Sequence, residues 1–141
     1  MGMKQLSVFI ENREGRLENV SQSLSENGIN IISVSLADTS EYGMLRLIVS
    51  DPEKGKSVLK ENGFAAMLSD VIAVDMPKYF TSLNQLMKTL SEININVEYM
   101  YSLSAGDISA IIIKTSDNDK AAEGIEKAGL KQVKAEDVYG L

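Results

Sequence analysis

A glycine inside a charged loop and the asparagines around it are the residues of this chain best suited to hold a small charged ligand. Glu11-Asn12-Arg13-Glu14-Gly15-Arg16-Leu17 leads into an amphipathic run, and Gly28-Ile29-Asn30-Ile31 leaves it. A glycine ahead of a helix lets backbone N–H groups approach a ligand closely. The helix N-terminus beside it favours an anion such as a carboxylate. Asn12 and Asn30 each offer a donor and an acceptor, a set that suits the ammonium and carboxylate of an amino acid. The same residues also have a plain structural use: Asn12 and Gly15 shape a turn and Asn30 caps a strand, as Asn and Gly commonly do. Arg13 and Arg16 flank the loop and read as solvated charges, with pairing to a ligand carboxylate as the second use.

Other chemistries are missing from the residue types. The chain has no cysteine and no histidine. That removes disulfides, thiolate nucleophiles, zinc sites built on Cys or His, and the commonest general base. Neither Lys78 nor any glutamate pair sits in a catalytic motif, so no catalytic residue is assigned and the chain reads as a non-enzyme. No GxxxxGK[ST] run is present. Glu11, Glu14 and Glu18 lack the Asp/Gly loop pattern of a cation site, so no metal and no cofactor is expected. The formal net charge of −6, with no Lys/Arg run, argues against nucleic acid and anionic membrane as partners. No apolar stretch approaches the ~20 residues of a membrane span. The start, Met1-Gly2-Met3-Lys4, lacks a signal peptide's apolar region and does not fit a myristoylation pattern. A cytoplasmic protein is expected.

The elements that position the loop follow from periodicity. Leu6, Val8 and Ile10 alternate with Gln5, Ser7 and Phe9 over 4–10, a half-buried strand. Leu17, Val20, Ser21 and Leu24 follow at helical spacing, and Asn27-Gly28 stops that helix. A β-branched second strand occupies 30–37, a turn Asp38 to Gly43, and a third strand 45–49. Asp51-Pro52 opens a second helix that ends near Asn62-Gly63, and 64–70 is a weaker fourth strand. The order is β-α-β-β-α-β, the ferredoxin-like unit.

The chain then repeats itself with a shift of 66 residues and no gap. Leu6, Val8 and Ile10 fall on Ile72, Val74 and Met76, and Val20 and Leu24 fall on Leu86 and Leu90. Ile29-Asn30 falls on Ile95-Asn96, Ser50-Asp51 on Ser116-Asp117, and Gly63 on Gly129. Such a period sets the architecture: two α+β units, 1–70 and 71–141. The second repeat reads as strand 71–76, helix 82–92, strand 95–103, turn Ser104 to Asp107, strand 108–115, helix 118–128 and strand 130–136, with Asp137 to Leu141 as a tail. Units this small bury only ~60% of their unfolded surface, so each is expected to pack on another unit or chain. The repeats diverge where the ligand loop should be: Lys78 replaces Asn12 and Thr81 replaces Gly15. Threonine is poorly tolerated at φ > 0, so the second loop should take another shape. The third strands, Met44–Val49 and Ser109–Ile113, carry no aromatic, against the base-stacking platform of RNA-binding domains of this topology. Tyr99 and Tyr101 share a strand face and are expected in a core or interface. Phe9 and Ile112, opposite the core stripe, suggest cover by a further sheet or subunit.

Asn12-Arg13-Glu14-Gly15-Arg16-Leu17 resembles the N/D-R-P-G-x-L loop of ACT domains, with Glu14 in place of the usual Pro. Gly28-Ile29-Asn30-Ile31 resembles their G-x-N-I helix exit. The resemblance implies ferredoxin-like units packed side by side, antiparallel sheets with helices on one face, and a free L-amino acid held at the seam to regulate amino-acid metabolism. By that resemblance the loop of one unit works with the helix-exit Asn of the other, so Asn12 and Gly15 would be completed by Asn96. The residues expected around the ligand are Asn12, Arg13, Gly15, Arg16, Leu17, Asn30, Ile31, Asn96 and Val97, with one good site per chain. With no catalytic domain in the sequence, regulation would act through a separate metabolic enzyme or through a homodimer. The alternative is a ligand-free interaction module, such as the regulatory small subunit of a biosynthetic enzyme.

Overall fold

The computed structural model describes residues 2–11, 13–38 and 41–141. Asn12, and Thr39 and Ser40 of the expected turn, lie outside them. Among the described residues the chain forms β1 (Met3–Glu11), α1 (Arg16–Glu26), β2 (Ile31–Asp38), β3 (Tyr42–Val49), α2 (Pro52–Glu61), β4 (Ala65–Asp75), α3 (Leu83–Glu92), β5 (Val97–Ala105), β6 (Ile108–Thr115), α4 (Asn118–Lys127) and α5 (Ala135–Tyr139). Internal contacts divide it into an N-terminal unit, Lys4–Ser69, and a C-terminal unit built on Asp70–Tyr139.

In the N-terminal unit the strand order is β2-β3-β1-β4. β1 and β3 are antiparallel, with Leu6 opposite Leu47 and Val8 opposite Leu45, so the alternating apolar residues share one face. Val20 and Leu24 of α1 and Val58 and Leu59 of α2 close that face into a core. α2 lies tight on the sheet, since a Cβ on Gly55 would sit 3.2 Å from Leu6 Cδ2. Its first turn is set by Pro52 and by Asp51, whose side chain accepts from the Lys54 N–H at 3.2 Å.

The C-terminal unit repeats this construction on β4-β6-β5. Its core residues Ile72, Val74, Met76, Leu86, Leu90, Ile95, Ile111, Ile113 and Ile125 stand 66 positions after Leu6, Val8, Ile10, Val20, Leu24, Ile29, Leu45, Leu47 and Leu59. The cap recurs as well: Asp117 accepts from the Lys120 N–H at 3.1 Å. Where one core position differs, a neighbour compensates. Gly124 replaces Val58, and Ile93, which replaces Asn27, occupies the vacated space with its Cδ1 2.6 Å from where a Gly124 Cβ would lie.

Three expectations need correction. The strands read as 64–70 and 71–76 are one eleven-residue strand, β4. It runs through Ser69-Asp70, where the alternation of buried and exposed side chains breaks. The strand read at 130–136 is reduced to a bridge between Val74 and Gln132, held by Asp75 N–H to the Lys131 carbonyl and Val133 N–H to the Ala73 carbonyl, both 2.8 Å. The tail read from Asp137 onward belongs largely to α5, which buries Val138. Cover of the face opposite the core is unequal: Ile112 is fully buried, but Phe9 is 50% exposed and leans on Tyr42 at a ring separation of 5.6 Å.

Candidate ligand site

The loop after β1 is organised by one backbone conformation. Gly15 takes φ 82°, ψ −11° and caps α1, its carbonyl accepting the Asn19 N–H at 3.0 Å. That left-handed geometry disfavours any residue with a Cβ. Among the described residues, its chain neighbours aside, no heavy atom lies within 4 Å of where a Gly15 Cβ would be. The φ alone therefore demands the glycine, and none of the described residues beyond its chain neighbours crowds its backbone. Leu17 is exposed in the first helical turn. Together with Ile10, Glu11, Arg13, Arg16, Leu36 and Gly43 it lines a concavity of about 50 Å³. Arg13 is exposed and pairs with Glu11 at 3.1 Å, an interaction of little energetic weight at the surface.

Arg16 departs from the solvated reading. Its guanidinium lies over the Phe64 ring, 4.3 Å from the centroid, and its buried Nε has no hydrogen-bond partner among the described residues. The side chain borders a polar groove of about 270 Å³ shared with Asn19, Gln22, Ser23, Glu26 and Asn62. A sequence signal for this contact existed. The 66-residue equivalents are Ser82 and Leu130, so both members of the stacked pair change together between repeats.

The helix exits are built alike in both units. Leu24 and Ser25 carbonyls accept from Ile29 and Gly28 N–H, with Gly28 at φ 71°. Leu90 and Ser91 accept from Ile95 and Asn94, with Asn94 at φ 58°. The Asn30 N–H donates to Ser50 Oγ at 2.9 Å while its carbonyl accepts the Ser50 N–H at 2.9 Å. Asn96 makes the same two bonds with Ser116, at 3.2 and 3.0 Å. Each clamp consumes backbone groups and leaves the exposed side-chain amide out of it. Ile31 and Val97 then open β2 and β5.

Within the N-terminal unit the loop and Asn30 sit at opposite ends of α1, whose eleven residues span about 15 Å. A free amino acid is too short to touch both. Gly15, Arg16 and Leu17 are thus brought together, with Arg13 beside them, while Asn30 and Ile31 of the same unit are not. Asn96 and Val97 belong to the other unit.

The second loop differs as its threonine requires. Lys78–Phe80 forms a 3-10 turn with φ of 63° at Tyr79 and 52° at Phe80, while Thr81 takes φ −62°. Phe80, partly buried, packs against the core, and Tyr79 is 91% exposed. The left-handed conformation that Gly15 supplies at the head of α1 has no equivalent at Thr81. Tyr99 and Tyr101 stack on each other, centroids 6.5 Å apart. Among the described residues, no group of three or more acidic side chains is placed to hold a metal ion, and no helix is long and apolar enough to cross a membrane.

A family model for paired ACT domains matches residues 1–141. Among solved structures, a protein of Bacteroides thetaiotaomicron is similar at 35% identity, covering 100% of this chain and 98% of its own, with a TM-score of 0.91. The ligand-free regulatory subunit of aspartate kinase from Thermus thermophilus is similar at 16% identity, with 91% and 93% covered and a TM-score of 0.62. That of Thermus flavus is similar at 18% identity, with the same coverage and a TM-score of 0.59. At such identities the two Thermus proteins speak for the fold. No curated protein matches the chain.

Proposed function

From the premise that this chain belongs to the ACT domain pair family, we propose that it is a non-catalytic regulatory protein that binds a free L-amino acid. The observation that carries the reading is the Gly15 loop. It joins a left-handed glycine whose backbone none of the described residues beyond its chain neighbours crowds, a helix N-terminus suited to a carboxylate, and two arginines, and it survives in only one of two otherwise parallel repeats. Asn12, Arg13, Gly15, Arg16 and Leu17 form one side of the proposed site, and Asn96 with Val97 the other. The regulated partner is a separate enzyme of amino-acid metabolism, in keeping with the regulatory subunits among similar structures. A cytoplasmic location goes with that role.

The test is thermal unfolding against each of the twenty amino acids. A ligand at about 100 times its dissociation constant adds ~2.7 kcal/mol of stability, a shift of several degrees. A response to one or a few amino acids, weakened by Asn96→Ala, is expected. The absence of any response would overturn the ligand reading and leave a ligand-free interaction module.

A further inference from the structure

Outside the Gly15 loop, the repeats also part at the groove beside α1. In the C-terminal unit, the Gln85 side chain of α3 donates to the carbonyl of Ala128, the C-cap of α4, at 3.1 Å. That bond bridges the two helices. The equivalent residues of the N-terminal unit are Asn19 and Asn62. Asn19 is one methylene shorter, and the Asn62 amide turns back to the Val58 carbonyl of its own helix at 2.8 Å. The first repeat therefore lacks the bridge, and the groove of about 270 Å³ lies between α1 and the end of α2.

The chemistry of the groove is set by one cation and a row of neutral polar groups. Among its lining residues Arg16 alone is positive and Glu26 alone negative, and Glu26 already accepts from Gln22 Nε2 at 2.8 Å. Stacking on Phe64 holds the Arg16 fork in one plane, which reduces the freedom lost when it binds a carboxylate. The buried Nε lacks an acceptor among the described residues, a costly state that a ligand oxygen would relieve. Ser23 Oγ gives its proton to the Asn19 carbonyl at 2.7 Å, so its oxygen remains an acceptor. The side chains of Asn19, Gln22 and Asn62 supply further donors and acceptors for hydroxyl groups. In a chain of net charge −6, a single guanidinium matches one negative charge better than the two of a phosphate.

We propose that this groove is a second ligand site, which takes a small hydroxylated monocarboxylate. Its carboxylate accepts from the fork of Arg16, and its hydroxyls bond to Asn19, Gln22, Ser23 and Asn62. The volume falls just below that of pockets for drug-sized ligands, which suits a metabolite of a few carbons. Every lining residue belongs to the N-terminal unit, so the site needs no other unit or chain. It goes beyond the amino-acid reading and does not rest on it. Arg16 is the one residue that lines both this groove and the concavity beside Gly15.

The test uses the scarcity of arginine, since Arg13, Arg16 and Arg46 are the only three. Their Nε–H correlations can be followed by NMR, with Arg16→Lys assigning the relevant one. D-gluconate, raised to millimolar concentration with no amino acid present, should shift the Arg16 signal to saturation and leave that of exposed Arg13 in place. Inorganic phosphate should give no saturable shift. The double variant Asn19→Gln/Asn62→Ala copies the bridge of the second repeat. It should fold with a Tm near that of the wild type, lose the gluconate response and keep any thermal response to amino acids. Asn19→Leu, which removes one amide and fills the groove, serves if the double variant fails to fold. No saturable gluconate shift, Arg13 and Arg16 shifting alike, phosphate matching gluconate, or an undiminished response in a folded groove variant overturns the site. A failed amino-acid screen is a separate result, because these spectra contain no amino acid.

Discussion

Replacing Gly15 by alanine separates the cost of a backbone conformation from the loss of a ligand contact. At φ 82° the new Cβ meets no atom of the described residues within 4 Å, its chain neighbours aside, so none of them has a steric clash to relieve. What remains is the left-handed penalty of about 1–2 kcal/mol for an L-residue, offset by the ~0.4–1 kcal/mol that alanine removes from unfolded-chain entropy. The net is a destabilisation of about 1 kcal/mol, which for a chain of this size lowers Tm by about 4 °C. Gly28 is the control: it sits at φ 71° at the far end of the same helix, also with nothing within 4 Å of its Cβ position, and Gly28→Ala should lose the same amount. The two variants part when ligand is added. At about 100 times the wild-type dissociation constant, wild type and Gly28→Ala should each gain ~2.7 kcal/mol, about 10 °C. A methyl group where the ligand approaches the loop backbone should weaken affinity at least tenfold in Gly15→Ala, cutting the gain to ~1.4 kcal/mol or less, about 5 °C. Differential scanning fluorimetry reads both quantities in one titration. Equal ligand responses from the two alanine variants would refute the assignment of Gly15 to the site, and an undiminished Tm in Gly15→Ala would refute the conformational argument itself.

Arg16→Met keeps an apolar stem over Phe64 and removes the buried Nε, which has no partner among the described residues. Since an orphaned buried donor costs about 1–3 kcal/mol against ~0.5–1 kcal/mol for the cation–π contact, urea unfolding should show stability unchanged or raised, while calorimetry shows weaker amino-acid binding. Asp51→Ala and Asp117→Ala remove equivalent caps at 3.2 and 3.1 Å and should each cost about 1 kcal/mol by chemical denaturation, with unequal costs counting against energetic equivalence of the repeats. Gly124→Val should destabilise by about 1–3 kcal/mol through overpacking against Ile93. Adding Ile93→Asn, the first-repeat pairing, should recover part of that loss, and strict additivity in the double-mutant cycle would show that the two positions do not compensate.

Much of this protein could be read along the chain because much of it is locally determined. Apolar alternation placed β1 and β3, the repeat placed β6, turn chemistry at Gly28, Gly63 and Gly129 ended helices where the left-handed cap occurs, and the 66-residue shift predicted which residues share each core. Even the divergence of the two loops followed from residue type, since threonine at position 81 could not adopt the conformation of Gly15. The errors fall where a neighbour in space decides. β4 runs unbroken through Ser69-Asp70, between strand neighbours β1 and β6, although side-chain alternation fails there. The final segment yields to α5 because it pairs with β4 over only one bridge. Arg16 turns onto Phe64, a residue 48 positions away, where an aromatic face and a polar groove replace the solvent expected of it. Residue types proposed the loop and the helix exits as candidate ligand-holding parts. Tertiary structure decided that one unit cannot bring its own two parts together, because the rigid rise of α1 keeps them about 15 Å apart.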